Sequence, residues 1–290
     1  MATPTVQSRI QGSIFGVAVV DALGGPVEFQ PRGSFEPVSS FQHNENFNYK
    51  NGHLSATGKC FDIDGTTAKA LEIWQRYFDR SPHLLKDNPA AHEGGQAAID
   101  KALNFETNCG NGTLMRASPI GLVYFRDMNE ALYNATISSE VTHPYPTYDE
   151  CCTIYTRLIV LSVNGASKVD LARAIANTTI RDRTIQKRLG GYTSLAAWEV
   201  KDEHEIDSTG VVVSTLEAAL WAFFTTSTFR QGALRAVNLG WDADTVGAIY
   251  GGLAGAFYGF EVIPAEWVGG LQRRDIVEEI ASGLVSLSHS

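Results

Sequence analysis

A chain of 290 residues, 44% of them hydrophobic, is long enough to bury a large core as one domain or two. Its formal net charge of −9 argues against a nucleic-acid surface, which needs a basic field, but leaves room for a small anion held by local donors or a metal ion. Four cysteines, with Cys151 and Cys152 adjacent and no C-x-x-C pair, suggest neither a disulfide framework nor a thiolate zinc site, and a reducing, cytoplasmic setting is expected.

The opening residues carry no charged region followed by a long apolar run, so no signal peptide is expected. Residues 6–23 then place Ile10, Ile14, Val17 and Ala18 roughly on one helical face. Residues 66–77 do the same with Ala70, Leu71 and Trp74. Further helices are predicted over 114–125, 129–139, 149–163, 169–177, 211–225, 231–239, 246–260 and 275–287. Alternating strand patterns are nearly absent. Two polar connections, 30–58 and 181–208, read as long loops of the kind that form lids or rims. The longest uncharged stretch, 245–260, is about 16 residues, short of the roughly 20 that span a bilayer, so no membrane partner is expected. With no internal repeat and no shift in composition, one all-α domain over residues 1–290 is the expected fold.

Several segments carry chemistry. In "GWDADTVGAIYGGLAGAFYG", residues 240–259, Asp242 and Asp244 would not share a face of a regular helix. In the turn before a helix they can converge, and Thr245 adds a hydroxyl. Mg²⁺ takes this mixture of oxygens, although simple N-capping explains the same residues. Behind them Gly247, Gly251, Gly255 and Gly259 recur every four residues. Interior helical glycine costs about 1 kcal/mol against alanine, so the stripe implies close approach of another backbone. Gly12 and Gly16 share the spacing and can supply it, which would set Asp242 and Asp244 beside the end of the first helix. That end carries Asp21 and, after the turn Gly24-Gly25-Pro26, Glu28. "CGNGTLMRASPIG", residues 109–121, opens an apolar helix and offers backbone N–H groups to an anion beside Arg116, or is an ordinary loop capped by Thr113. His143 in "THPYP" precedes a proline-stiffened turn, where a structural role is the commoner one. "FDIDGTT", with Asp62 and Asp64, imitates the nucleophile motif of haloacid-dehalogenase-type phosphatases, but the preceding "SATGKC" is no hydrophobic strand.

Together "GSIFGVAVVDALGGPVEF", "CGNGTLMRASPIG", "THPYP", "GVVVSTLEAALWAF" and "LRAVNLGWDADTVGAIYGGLAGAFYG" resemble the ADP-ribosylglycohydrolase family, which includes the dinitrogenase-reductase-activating glycohydrolases. The resemblance covers nearly the whole chain. It implies an all-α orthogonal bundle, one or two Mg²⁺ or Mn²⁺ ions, and hydrolysis of the bond between ADP-ribose and an acceptor on a protein or small conjugate. By position it implies metal ligation by Asp242, Asp244 and Thr245, with Glu28, Asp62 and Asp244 at the chemistry. The loop Asn111, Gly112 and Thr113 would hold the diphosphate, and His143 would line the cleft. The family's Thr-Asp-Asp-Thr is altered here: without a gap Asp62 keeps one carboxylate, Ile63 replaces the other and Asp64 stands beside it as a substitute ligand, whereas a two-residue insertion equates Asp64-Gly65-Thr66 with Asp-Asp-Thr; either register loses one carboxylate. Ser214 replaces the Asp of "VVDTL", and Val20 the Gly before Asp21. Two functions are therefore expected to compete: a hydrolase with an altered metal motif, and a catalytically impaired member that binds ADP-ribose or is structural.

Overall fold

The structure, a computed structural model, describes residues 3–41, 63–80, 89–105 and 110–288. Among these it is helical with no strand; a lone bridge between Gly110 and Val211 is the one extended pairing. In chain order the α-helices are α1 (Val6–Gly24), α2 (Gly65–Arg80), α3 (Pro89–Leu103), α4 (Ser118–Val123), α5 (Met128–Glu140), α6 (Pro146–Val163) and α7 (Lys168–Ala176). The chain continues through α8 (Arg183–Leu189), α9 (Leu195–Glu199), α10 (Val212–Phe224), α11 (Phe229–Val237), α12 (Ala243–Tyr258), α13 (Ala265–Gly270) and α14 (Arg274–Leu287).

Helices α1 and α12 run antiparallel with their backbones in contact. A Cβ on Gly16 would lie 2.1 Å from the Gly251 carbonyl oxygen, and one on Gly255 would lie 1.9 Å from that of Gly12. No side chain fits in this seam. Its residues are small because the partner's main chain occupies the space. Around the pair pack α6, α10, α11 and α14, and every residue of α10 is buried. Arg9, itself buried, donates from Nη1 to the carbonyls of Ser162 and Ala256, each at 3.0 Å. It thereby satisfies end-of-helix acceptors on α6 and α12 that would otherwise be desolvated without partners.

By length and composition, residues 6–27 could cross a membrane, a feature that a search for uncharged runs passes over because Arg9 and Asp21 interrupt it. In the fold 61% of its apolar 18-residue stretch is buried inside the protein, as in a core helix.

The expected loop over 181–208 instead contains α8, α9 and a 3-10 turn at Glu203–Glu205. Asp182 caps α8 by accepting from Thr184 and Ile185 N–H, and Ser194 caps α9 at Ala197 N–H. Helices of one or two turns are too short to show a period, although their caps are ordinary. Helix α3 escapes the sequence reading because Gly94-Gly95 breaks its pattern. Those glycines admit the rings of Tyr77 and Trp74 from α2, whose atoms would lie about 2 Å from added Cβ atoms. The α2–α3 pair has a small core of Ala70, Ile99 and Leu103. It covers the C-terminus of α5, where Trp74 Nε1 donates to the Val141 carbonyl at 3.0 Å and Gln96 Nε2 to that of Glu140 at 2.8 Å. Of the 30–58 connection, residues 30–41 are described. Asn238 fastens them by accepting from Val38 N–H at 2.7 Å and donating to its carbonyl at 3.0 Å.

The seam makes a direct prediction. Gly251→Ala forces a Cβ to 2.0 Å from the Gly16 oxygen and is expected to destabilise the protein by about 3 kcal/mol, the upper range for overpacking. Gly283→Ala, on the exposed side of α14 with nothing within 4 Å, should stabilise by up to about 1 kcal/mol. Urea denaturation of the two variants checks both signs.

Candidate active site

At one end of the seam, Gly24 lies against Ala243 and Asp244, so the last turn of α1 meets the first turn of α12. After α1, a 3-10 turn at Gly25–Val27 delivers Glu28. Before α12, Gly240 and Trp241 have φ of +71° and +56° and turn the chain into Asp242. These two loops are tied together: Phe29 N–H donates to the Trp241 carbonyl at 2.6 Å, and Trp241 N–H donates to that of Gln30 at 2.8 Å. Arg32 fastens the Glu28 loop from outside, donating to the carbonyls of Leu239 at 3.2 Å and Ile206 at 2.6 Å.

These ties bring one carboxylate oxygen each from Glu28, Asp242 and Asp244 within 4.8 Å of one another. Asp21 is close enough to add its charge. Burial, then the negative charges of Asp21, Glu28 and Asp242, push the Asp244 carboxyl up to about 9. Oxygens bound to one Mg²⁺ at about 2.1 Å lie roughly 3–4 Å apart, so small side-chain adjustments let this trio hold a cation. Converging carboxylates with an elevated pKa are the expected signature of a place that favours positive charge. Thr245 is buried beside them, and its N–H donates to Asp244 Oδ1 at 2.7 Å.

Asn111 links this group to the neighbouring loop. Its Nδ2 donates to Thr215 Oγ1 at 2.9 Å and to Asp242 Oδ2. Asn111 therefore orients a carboxylate, a role the motif alone did not reveal. Thr113 turns inward, its Oγ1 3.6 Å from Cys152 Sγ. Gly112 lies against Asp64, where a Cβ would sit 2.9 Å from the carboxyl carbon.

Asp64 does not belong to the three-carboxylate group among the described residues. It caps α2, with Oδ2 accepting from Thr67 N–H at 2.7 Å and Thr67 Oγ1 at 2.8 Å. The same oxygen lies 3.2 Å from His143 Nε2. Burial raises the Asp64 carboxyl, but the nearby His143 ring and the Thr67 hydrogen bonds outweigh it and hold the group below its ordinary value. His143 is fully buried rather than lining an open cleft; Nδ1 is 2.7 Å from Thr142 Oγ1, which accepts from Arg116 Nη2 at 2.8 Å. Arg116 also donates to the Gly112 carbonyl at 3.1 Å, so it braces the loop from behind instead of presenting its charge to an anion there. Asp62 lies outside the described residues. The phosphatase nucleophile motif that "FDIDGTT" imitates ends a strand of a parallel sheet; the described residues contain no strand and residue 65 begins a helix, while the segment just before Asp62 lies outside the described residues.

Sequence reasoning passed over a further support. Ser214, in place of an expected aspartate, donates to Asp207 Oδ2 at 2.7 Å, so a carboxylate arrives from seven residues upstream. Arg188 bridges Asp207 at 3.2 Å and the buried Glu217 at 3.0 Å, and Tyr192 OH donates to Glu217 at 2.8 Å. This network holds the loop whose Ser208 carbonyl accepts from Asp242 N–H at 3.1 Å.

A helical bundle with converging acids at paired helix ends is the class that the fold and site define, and comparison with known proteins gives it a name. The ADP-ribosylglycohydrolase family profile matches residues 38–290, and the chain belongs to that family. It is 29% identical to the ADP-ribosylarginine hydrolase Tri1 of Pseudomonas putida (strain GB-1), over 95% of this chain and 77% of that protein. It is 27% identical to the ADP-ribosyl-[dinitrogen reductase] glycohydrolase of Rhodospirillum rubrum, over 94% of each. A solved structure described as an ADP-ribosylglycohydrolase-related protein complex superposes with a TM-score of 0.69 at 30% identity, covering 98% of this chain and 99% of that one. At the level of the family, the chain is an ADP-ribosyl hydrolase.

The Asp244 environment sets a pH dependence. Its carboxyl titrates near the ordinary value of about 4 when unfolded and is raised to about 9 when folded without a cation. Between those values the native state binds more protons than the unfolded state, so stability falls as pH rises through that window. Asp244→Asn should flatten the decline, and Mg²⁺ should stabilise wild type more at the alkaline end. Denaturation with EDTA or Mg²⁺ across the window measures both effects.

Proposed function

We propose that this chain hydrolyses the bond between C1″ of ADP-ribose and an acceptor side chain on a modified protein, arginine before others, with a divalent cation held by Glu28, Asp242, Asp244 and Thr245. The observation that carries this reading is the convergence of three carboxylates at the α1–α12 junction with Asp244 pushed up to about 9. Arginine is favoured because the relatives from Pseudomonas putida and Serratia proteamaculans are named as ADP-ribosylarginine hydrolases. Names of active hydrolases among the relatives also favour catalysis over a purely binding role.

When bound, the cation supplies Lewis acidity at the ribose hydroxyls. Glu28, at the open end of the 3-10 turn, takes a proton from the attacking water and returns one to the departing acceptor. Asn111 holds Asp242 in its ligating rotamer, while backbone N–H groups near Gly112 approach the diphosphate. Asp64, with His143 behind it, fixes the start of α2 against that loop. Since Asp64 Oδ2 already accepts from Thr67 and faces His143, it is poorly placed to complete a second ion site, and one ion binds more tightly than the other.

Release of ADP-ribose from an ADP-ribosylarginine peptide tests the reaction. Asp244→Ala should lower kcat on the order of 10²–10⁴-fold, the scale of losing a positioned catalytic group. Wild type that binds ADP-ribose but cleaves none of its arginine, serine or O-acyl conjugates would indicate the impaired alternative. Calorimetric titration with Mg²⁺ should find one tight ion in wild type and a strengthened second in Ile63→Asp. Two equally tight ions in wild type would show that the altered motif is complete without that change.

A further inference from the structure

Two exposed aromatic residues that adjoin the acidic group along the chain have no role in the chemistry described so far. Phe29 directly follows Glu28, and Trp241 directly precedes Asp242. Both have left-handed backbones, at φ +61° and +56°. A bulky side chain is an outlier there and costs on the order of 1–3 kcal/mol. Both are solvent-exposed, at 65% and 45%. Core burial therefore does not account for the strain. The turn does not need these side chains either, because glycine adopts the same conformation without steric cost, as Gly240 does next door at +71°. What Phe29 and Trp241 add is two exposed aromatic surfaces, each one residue along the chain from a carboxylate and carried on loops tied by backbone hydrogen bonds.

We infer that Phe29 and Trp241 form an acceptor subsite that recognises a planar cation, the guanidinium of an ADP-ribosylated arginine. The inference rests on the reading of the site given above and extends it from the ribose to the group attached to C1″. If that carbon reacts beside Glu28, the acceptor lies within one bond of it and meets the residues flanking the carboxylates. The adenine, by contrast, is separated from C1″ by a ribose and a diphosphate. Charge selects among acceptors. Asp21, Glu28 and Asp242 set negative charge around Asp244, and an aromatic face adds its own negative quadrupole. A guanidinium is flat, weakly hydrated and stacks on such faces. A serine O-glycoside or an acyl ester carries no positive charge.

Glycine substitutions separate this role from folding, since Trp241→Gly and Phe29→Gly suit the left-handed backbone and should leave the protein folded. Each should reduce kcat/KM for an ADP-ribosylarginine peptide by roughly tenfold, as loss of a partly desolvated cation–π contact does. The inhibition constant of ADP-ribose, which lacks the acceptor, should stay unchanged, and Trp241→Tyr should restore much of the lost rate. A parallel weakening of ADP-ribose would assign the aromatic residues to the nucleotide and overturn the inference. So would an unchanged kcat/KM in both glycine variants. If wild type cleaves no conjugate, the hydrolase reading falls, and calorimetric binding of the arginine conjugate decides the subsite separately. Tighter binding than ADP-ribose, lost in Trp241→Gly, supports the inference; no such advantage in wild type rejects it.

Discussion

The close approach of α1 and α12 is the constraint on which the remaining structure depends. Gly12, Gly16, Gly251 and Gly255 let two main chains touch, leaving each carbonyl where a side chain would otherwise stand. This fixes the axial register of the two helices as firmly as their separation. Register matters because the acids sit at the ends: Asp21 and Glu28 leave α1 where Asp242 and Asp244 enter α12. A slip of one turn would move the groups about 5 Å apart and dissolve the cluster.

Gathering acids in this way opposes stability, and the surroundings show how it is borne. No basic side chain is seen neutralising Asp244 among the described residues; burial and neighbouring carboxylates raise its pKa, so a proton can occupy the place of a cation. Basic groups act one layer further out. Arg116 braces the loop carrying Gly112, Arg32 fastens the Glu28 loop, and Arg188 joins Asp207 and Glu217 behind the segment that orients Asp242. Positive charge is thus spent on backbone carbonyls and remote carboxylates, leaving the centre electronegative. That arrangement suits a cation and a cationic acceptor alike.

Ser214 and Asp207 illustrate how a motif departure can be offset. Read along the chain, a serine in place of aspartate is a lost carboxylate. In the folded protein its hydroxyl donates to Asp207, and a carboxylate again stands beside α10. Asp64 shows the reverse. Its place in an acidic motif suggested a ligand, whereas the fold employs it as the cap of α2 and the partner of His143. Both outcomes depend on which groups a loop brings within 3 Å, which spacing along the sequence does not encode.

The sequence by itself determined the helical class, the long helices, the glycine-lined partner of α12 and the meeting of Glu28 with Asp242 and Asp244. Each follows from a periodic or local rule: apolar spacing, the cost of glycine inside a helix, and the chain direction after a tight turn. It did not show α3, α8, α9 or α13, whose pattern is either broken by glycines that receive rings from another helix or too short to be periodic. Nor did it show that His143 would be buried against Asp64, that Asn111 would hold Asp242, or that Phe29 and Trp241 would take left-handed backbones. Only tertiary structure decided these, because each depends on contacts between segments distant in the chain, which no periodic or local rule encodes.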